Sequence, residues 1–190
     1  MSAQSPSVSV PLPVGFAILW TADGGGTDPI EEWLLEVEQR NWLADLRDRS
    51  TRAPGVVLCA VHAELWQGEP VTASLVVSAQ PFDEAALGRD GLHAWALDRT
   101  STAGEVTQLQ LAGGWAVRTV DVVAAGSPGG PAPGSAGVVE AHLPEVAPGL
   151  LVSLILTTPH VGMLGAYAAL VSDIAHGVAV DVDAVAEPHA

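Results

Sequence analysis

The chain has 190 residues and 48% hydrophobic content, which suits one globular domain that buries its own core without a disulfide framework or a structural metal. Twenty-two acidic residues stand against seven arginines and no lysine, so the formal net charge is −15. This charge argues against nucleic acid and anionic membrane as partners, because both require a basic protein face. It is compatible with a basic protein partner, although acidity also serves solubility.

Composition also bears on source and location. The chain has no lysine and is rich in alanine, valine and glycine, a composition typical of a bacterium with a GC-rich genome. Residues 1–10 lack the basic region and long apolar core of a signal peptide, and no apolar run is long enough to span a bilayer. We therefore expect a cytoplasmic protein. The single cysteine, Cys59, lies in an apolar segment and is expected to be a small core residue.

The N-terminal half predicts two short strands, a helix and a hairpin. Residues 8–12 and 15–20 read as the strands, and Asp28, Pro29 and Glu31 form a helix start with a capping box, from which the helix continues to about residue 49. Residues 56–64 and 71–79 are apolar strands separated by a short connection that contains Trp66. The short connection favours an antiparallel hairpin.

The C-terminal half predicts a weakly helical segment at residues 81–100, interrupted by Gly88 and Gly91, and then a hairpin over residues 106–122. Glycine and proline dominate residues 125–137, which predicts an exposed loop inserted between two strands of one sheet. Strands at 138–143 and 150–157 follow, and Thr158 with Pro159 predicts the N-cap and first position of a closing helix to about residue 178. From about residue 180 the chain predicts a last edge strand or an acidic tail.

Hairpins in succession with separated helices predict a single α+β domain over residues 1–190. We expect a mostly antiparallel sheet flanked by helices, with the first and last helices covering it.

The sequence contains no signature for catalysis, a cofactor or a metal. The six histidines, His62, His93, His142, His160, His176 and His189, lack metal-ligand spacing. No serine elbow is present, although a triad can assemble in space from distant positions. Six of the nine aromatic residues are tryptophans, which are common anchors at interfaces. Trp66, in a predicted hairpin turn, is the first candidate for an exposed interaction residue.

Three segments together resemble the PsbP-like superfamily as found in GC-rich bacteria. They are residues 150–159 (LLVSLILTTP) with the helix through Tyr167 and residues 173–175, the early residues 13–16 (PVGF), and the hairpin at residues 114–118 (GWAVR). The resemblance implies an antiparallel sheet and helices in α-β-α layers. It also implies a mostly non-enzymatic role, since the family includes accessory subunits, a GTPase-binding factor and bacterial effector chaperones.

Two functional hypotheses follow. The first is a soluble, non-enzymatic protein-interaction factor of the adaptor, secretion-chaperone or inhibitor type. The second is an enzyme or small-molecule-binding protein whose histidines converge on a cleft between sheet and helices. The acidic charge, the surplus of tryptophan and the missing catalytic signature favour the first.

Overall fold

The computed structural model describes residues 7–22, 46, 48, 50–125 and 134–181. Most of the predicted first helix lies outside these residues, as do residues 126–133 of the glycine-proline segment and the chain after residue 181. At the end of the predicted first helix, residues 50–52 are helical, slightly beyond the expected boundary.

Besides the helical residues 50–52, the described part of the chain contains nine strands, two α-helices and one short 3-10 helix with defined bounds. In chain order they are β1 (Ser7–Ser9), β2 (Phe16–Thr21), β3 (Val56–Trp66), β4 (Glu69–Pro81), α1 (Glu84–Arg99), β5 (Glu105–Leu111), β6 (Gly114–Ala125), β7 (Gly134–Ala147), β8 (Leu150–Thr158), the 3-10 helix (Val161–Met163), α2 (Leu164–Gly177) and β9 (Ala179–Asp181).

Seven strands form the main sheet in the order β2-β3-β4-β8-β7-β6-β5, and every neighbouring pair is antiparallel. This confirms the predicted α+β class and the predicted hairpins, β3–β4 and β5–β6. Strand β7 pairs with β6 from Ala125 opposite Gly134 onwards, so residues 134–137 are strand, whereas the sequence suggested loop. The glycines and serine of residues 134–137 favour a loop, but continuous pairing with the valine-rich strand β6 outweighs this local preference.

From about residue 180 the sequence left two alternatives, a last edge strand or an acidic tail, and the structure describes this stretch only to residue 181. Residues 179–181 form β9, which pairs antiparallel with β1 in a separate two-stranded sheet. Val8 and Val180 face each other in this pair and pack against the main core. The edge-strand alternative therefore describes residues 179–181.

Side chains alternate between the two faces of the main sheet, and each face carries a helix. On the α2 face, Tyr167, Val171 and Ile174 are buried among aliphatic residues of β4, β7 and β8. On the other face, which we call the α1 face, Leu92 and Ala96 pack on β6. Burying one large aliphatic side chain stabilises the fold by about 1.5–3 kcal/mol, so these contacts hold both helices in place.

Helix α1 lies within the segment that the sequence predicted to be weakly helical, and it is interrupted at one of the two predicted glycines. The chain leaves helical geometry at Gly88, where φ is 59° and ψ is −176°, and then resumes the helix. The tertiary burial of Leu92 and Ala96 outweighs the poor helix propensity of the glycines. As a result the middle helix covers part of the sheet that the sequence assigned to the first helix.

The predicted N-cap at Thr158 is wrong. Thr158 ends strand β8 and is completely buried, and α2 begins only at Leu164, after the 3-10 turn. Its hydroxyl donates to the carbonyl of Thr72 at 2.8 Å and accepts from the His160 N–H at 3.1 Å. Thr158 thus ties the end of β8 to β4 and stabilises the turn that follows it.

Among the residues that the structure describes, no helix combines the length and hydropathy needed to cross a bilayer.

Candidate functional site

The β3–β4 hairpin continues beyond the strands on either side of it. On one side, pairing with β2 reaches only His62, opposite Phe16. On the other side, pairing with β8 reaches only Ser74, opposite Thr157. The two hairpin strands nevertheless remain paired with each other out to Trp66 and Glu69, so the end of the hairpin projects from the sheet.

A two-residue turn closes this projection. Gln67 and Gly68 have φ values of 53° and 88°. Positive φ at both central positions is the geometry of a type I′ turn, whose twist matches that of the flanking strands. The turn therefore keeps the register tight up to the tip and holds Trp66 directly opposite Glu69.

Large apolar side chains are exposed at this end of the sheet. Leu65 is 54% exposed, Trp66 is 48% exposed, and Val14 in the turn before β2 is fully exposed. The carbonyl of Gly15 accepts the N–H of Ala63 at 3.1 Å, which places Val14 next to the start of the projecting hairpin. Strand alternation puts Leu65 and Trp66 on opposite faces of the hairpin, so these exposed apolar residues surround its end. We call Val14, Leu65 and Trp66 the hairpin-end surface.

Two carboxylates accompany Trp66. Strand alternation puts Glu64 and Trp66 on the same face of the hairpin, and the register puts Glu69 directly across from Trp66. The Glu64 side chain is 43% exposed, and Glu69 is exposed. Trp66 thus has an acidic residue as its cross-strand neighbour and another two positions along the same face, where the Glu64 carboxylate also lies 3.9 Å from His62 Nε2.

A buried aromatic and histidine cluster supports the surface from below. The ring of His62 lies 5.0 Å from that of Phe16 and 5.7 Å from that of Tyr167, between centroids. The Tyr167 hydroxyl lies 3.4 Å from His62 Nδ1. A Cβ on Gly15 would come within 2.9 Å of His62 Nε2, so only glycine lets the loop that carries Val14 pack this closely on the imidazole.

Burial sets the ionisation of this cluster. Desolvation lowers the pKa of His62, and the nearby negative charge of Glu64 partly opposes that shift. Burial, and then Glu64, raise the pKa of Tyr167 to about 12, against a smaller opposing effect of the Thr158 hydroxyl. Near neutral pH both rings are therefore uncharged, which suits a packed support.

A second polar cluster lies on the opposite face of the sheet, beneath α1. His142 and Ser153 are cross-strand partners, with Nδ1 and Oγ 2.9 Å apart. His142 Nε2 lies 3.1 Å from Glu140 Oε2, and the hydrogen bond from His142 is the main cause of the lowered pKa of Glu140. Because a charged carboxylate can only accept, His142 Nε2 carries the proton of this hydrogen bond.

The cluster has the residue types of a serine-histidine-acid triad but not the setting of one. His142 and Ser153 are buried, and Trp95 packs edge-on against the imidazole with 5.0 Å between ring centroids. Strand β8 is paired on both sides at Ser153, so its backbone N–H groups serve the sheet rather than an oxyanion hole. The arrangement is that of a satisfied polar network that positions α1 on the sheet.

The histidines do not converge on a cleft in the described residues. His62 and His142 lie on opposite faces of the sheet, and no group of three or more potential metal ligands occurs in the described part of the chain. A cavity of about 230 Å³ beside Trp115 is lined by one histidine, His176. Another, of about 340 Å³ near Val76, has no histidine in its wall. His189 lies outside the described residues.

Cys59 is fully buried, as the sequence predicted. Burial raises the pKa of its thiol, against the smaller opposing effect of a hydrogen bond with Ser50. An uncharged buried thiol is a poor nucleophile, so the residue acts as core packing.

The tryptophans differ sharply in environment. Trp95 and Trp115 each lie under an arginine of α1, and Trp20 is half-buried on β2. Trp33 and Trp42 fall outside the described residues. The sequence analysis named Trp66 as an exposed candidate but did not name Leu65 or Val14. Its predicted strand ended at residue 64, and the length of the projecting hairpin depends on where β2 and β8 stop.

No protein-family model matches this chain, and no curated protein or solved structure shows significant similarity to it.

Proposed function

We propose that this protein is a non-enzymatic interaction factor that docks a protein partner on the hairpin-end surface. The observation that carries the proposal is the half-exposure of Leu65 and Trp66 on a hairpin that projects beyond its neighbouring strands. Tryptophan anchors contribute disproportionately to interface affinity, and an exposed one at the end of a rigid element needs little ordering on binding.

The support beneath the surface favours the same proposal. Phe16, His62 and Tyr167 fill the space under the base of the hairpin, and Gly15 packs against the imidazole. A site held by packed side chains loses less conformational entropy when a partner binds. The exposed residues are therefore presented on a preorganised base.

The histidine-lined enzyme cleft has weaker support. In its best candidate, the network of His142, Ser153 and Glu140, the histidine and the serine are buried beneath α1, and the β8 backbone at Ser153 is committed to strand pairing on both sides. An adaptor, secretion-chaperone or inhibitor role is also what the PsbP-like resemblance implies, and the antiparallel α+β architecture is compatible with that resemblance. A cytoplasmic location remains part of the proposal.

The test is capture of a partner from a lysate of the source organism, followed by binding measurements with point variants. Leu65→Ser and Trp66→Ser should each weaken binding by tenfold or more, on the general scale of about 2 kcal/mol or more for interface anchors. About half of each residue is solvent-exposed and neither belongs to the core, so neither change should unfold the protein.

Leu97→Ser is the matched control, because Leu97 has the same 54% exposure as Leu65 but lies on α1. It should bind like the unaltered protein. Equal loss for Leu65→Ser and Leu97→Ser would contradict a localised site. An activity that disappears with Ser153→Ala, in protein that remains folded, would favour the enzyme instead.

A further inference from the structure

We propose that the partner places an arginine side chain on the Trp66 indole, between the carboxylates of Glu64 and Glu69. This inference rests on the proposed function and specifies the chemistry of the partner: a basic segment in which an arginine is flanked by apolar residues. Three observations support this inference. They are the geometry of the hairpin tip, the net charge of the chain, and the internal partners of its described arginines.

The tip combines an aromatic face with two negative charges. Glu69 is the direct cross-strand neighbour of Trp66, and Glu64 lies two residues away on the same face. A guanidinium stacks well on an indole and donates hydrogen bonds in its own plane, so carboxylates beside the ring are placed to accept them. Val14 is exposed beside the start of the hairpin, and Leu65 is exposed on the opposite face of the same tip, where a segment that wraps around the tip can contact it.

The chain itself uses tryptophan in this way. Arg89 lies over the ring of Trp115 at 5.0 Å, and Arg99 lies over the ring of Trp95 at 4.9 Å. Trp66 has no such cation among the described residues, although it is more exposed than Trp115, which is buried. An arginine over an indole is thus a contact that this fold makes twice, and Trp66 offers a more exposed ring for the same contact.

No described arginine is left to supply that cation. Each of the four has an internal partner: Arg52 with Asp48 at 2.7 Å, Arg89 with Trp115, Arg99 with Trp95, and Arg118 with Glu105 at 3.2 Å. The chain contains no lysine, and its net charge is −15. A cation that approaches the tip from another protein is therefore attracted over a distance as well as at contact.

The test uses a defined probe, the peptide amide acetyl-Leu-Arg-Leu, titrated into isotopically labelled full-length protein. The readout is the NMR signal of the Trp66 indole N–H, assigned with Trp66→Phe. The same peptide with citrulline in place of arginine keeps the shape and removes the charge. We expect a saturable shift with the arginine peptide and affinity lower by about tenfold or more with the citrulline peptide.

A double variant isolates the carboxylates. Glu64→Gln with Glu69→Gln should weaken arginine-peptide binding by about tenfold and reduce its salt dependence. Asp90→Asn with Asp98→Asn is the matched control, because it removes the same number of exposed charges from α1. This control should bind the peptide almost as the unaltered protein does.

Several results would overturn the arginine site. They are equal affinity for the arginine and citrulline peptides, equal loss in both double variants, and no shift of the Trp66 signal at peptide concentrations that saturate ordinary weak sites. If partner binding still requires Leu65 while the citrulline peptide binds as well as the arginine peptide, the proposed function stands and the arginine inference fails. If partner binding is insensitive to Leu65 and Trp66, both fail.

Discussion

Substitutions at Thr158 can distinguish between two roles for its hydroxyl group. The sequence suggests a helix N-cap, whereas the structure shows a fully buried side chain that donates to the Thr72 carbonyl and accepts from the His160 N–H. Thr158→Val keeps the shape and removes both hydrogen bonds. A buried polar group left without a partner costs about 1–3 kcal/mol; the Thr72 carbonyl is buried and the His160 N–H only partly so, and the two together should cost roughly 2–4 kcal/mol.

The size of that loss is easily measured. For a chain of this length, 1 kcal/mol shifts the melting temperature by about 2–4 °C, which predicts a fall of roughly 4–16 °C for Thr158→Val. Thr158→Ser retains the hydroxyl and loses one methyl group, so it should cost only about 1 kcal/mol. Chemical denaturation of both variants gives the free energies of unfolding for comparison.

Thr158→Asp provides the decisive comparison. Aspartate is among the best N-cap residues, so the capping explanation predicts no loss or a gain in stability. In the structure an aspartate would bury a charge beside the Thr72 carbonyl, to which a carboxylate cannot donate, and it should therefore be the most damaging of the three changes. If Thr158→Asp is as stable as the unaltered protein, or Thr158→Val costs less than about 0.5 kcal/mol, the structural reasoning is wrong.

Other predictions concern ionisation and the hairpin turn. Tyr167, the single tyrosine, should titrate near pH 12 in the folded protein and near 10 in urea, as followed by tyrosinate absorbance. Because the folded pKa is the higher one, this contribution to stability is complete below pH 10 and is lost as the pH rises through about 12; a folded pKa near 10 would contradict the burial argument. His62 has a lowered pKa, so its contribution is present above pH 6.5 and is lost on acidification, and His62→Gln should flatten the stability profile there. Gln67→Asn should raise the free energy of unfolding by a few tenths to about 1 kcal/mol, since asparagine tolerates positive φ better than glutamine; a loss of stability would argue against the type I′ turn.

The strands were predictable because their signals are local. Alternating apolar residues and short turns identified β3 with β4 and β5 with β6, and these pairs form as predicted. The exact ends were not predictable, because they depend on partners distant in sequence. Pairing with β6 draws residues 134–137 into β7, and pairing with β1 makes a strand of residues 179–181.

The candidate site was predictable only in part. A tryptophan in a short connection between two apolar strands is a local signal, and it identified Trp66. The exposure of Leu65 has a different origin: β2 stops pairing at Phe16 and β8 at Thr157, which leaves the hairpin to project alone. No pattern within the hairpin encodes where its neighbours end.

The sequence also could not predict on which face of the sheet each of the two buried histidines lies. His62 and His142 look alike in sequence, since each lies in an apolar strand. The two-residue period of a strand sends a side chain to one face or the other, and a one-residue change of register reverses the choice. Strand pairing is irregular between Val56 and Leu58 and again between Leu143 and Ala147. The face on which each histidine lies therefore cannot be found by counting alternate residues from the ends of its strand. Register places His62 beneath the hairpin-end surface and His142 beneath α1, which is why one supports the proposed docking site and the other anchors a helix.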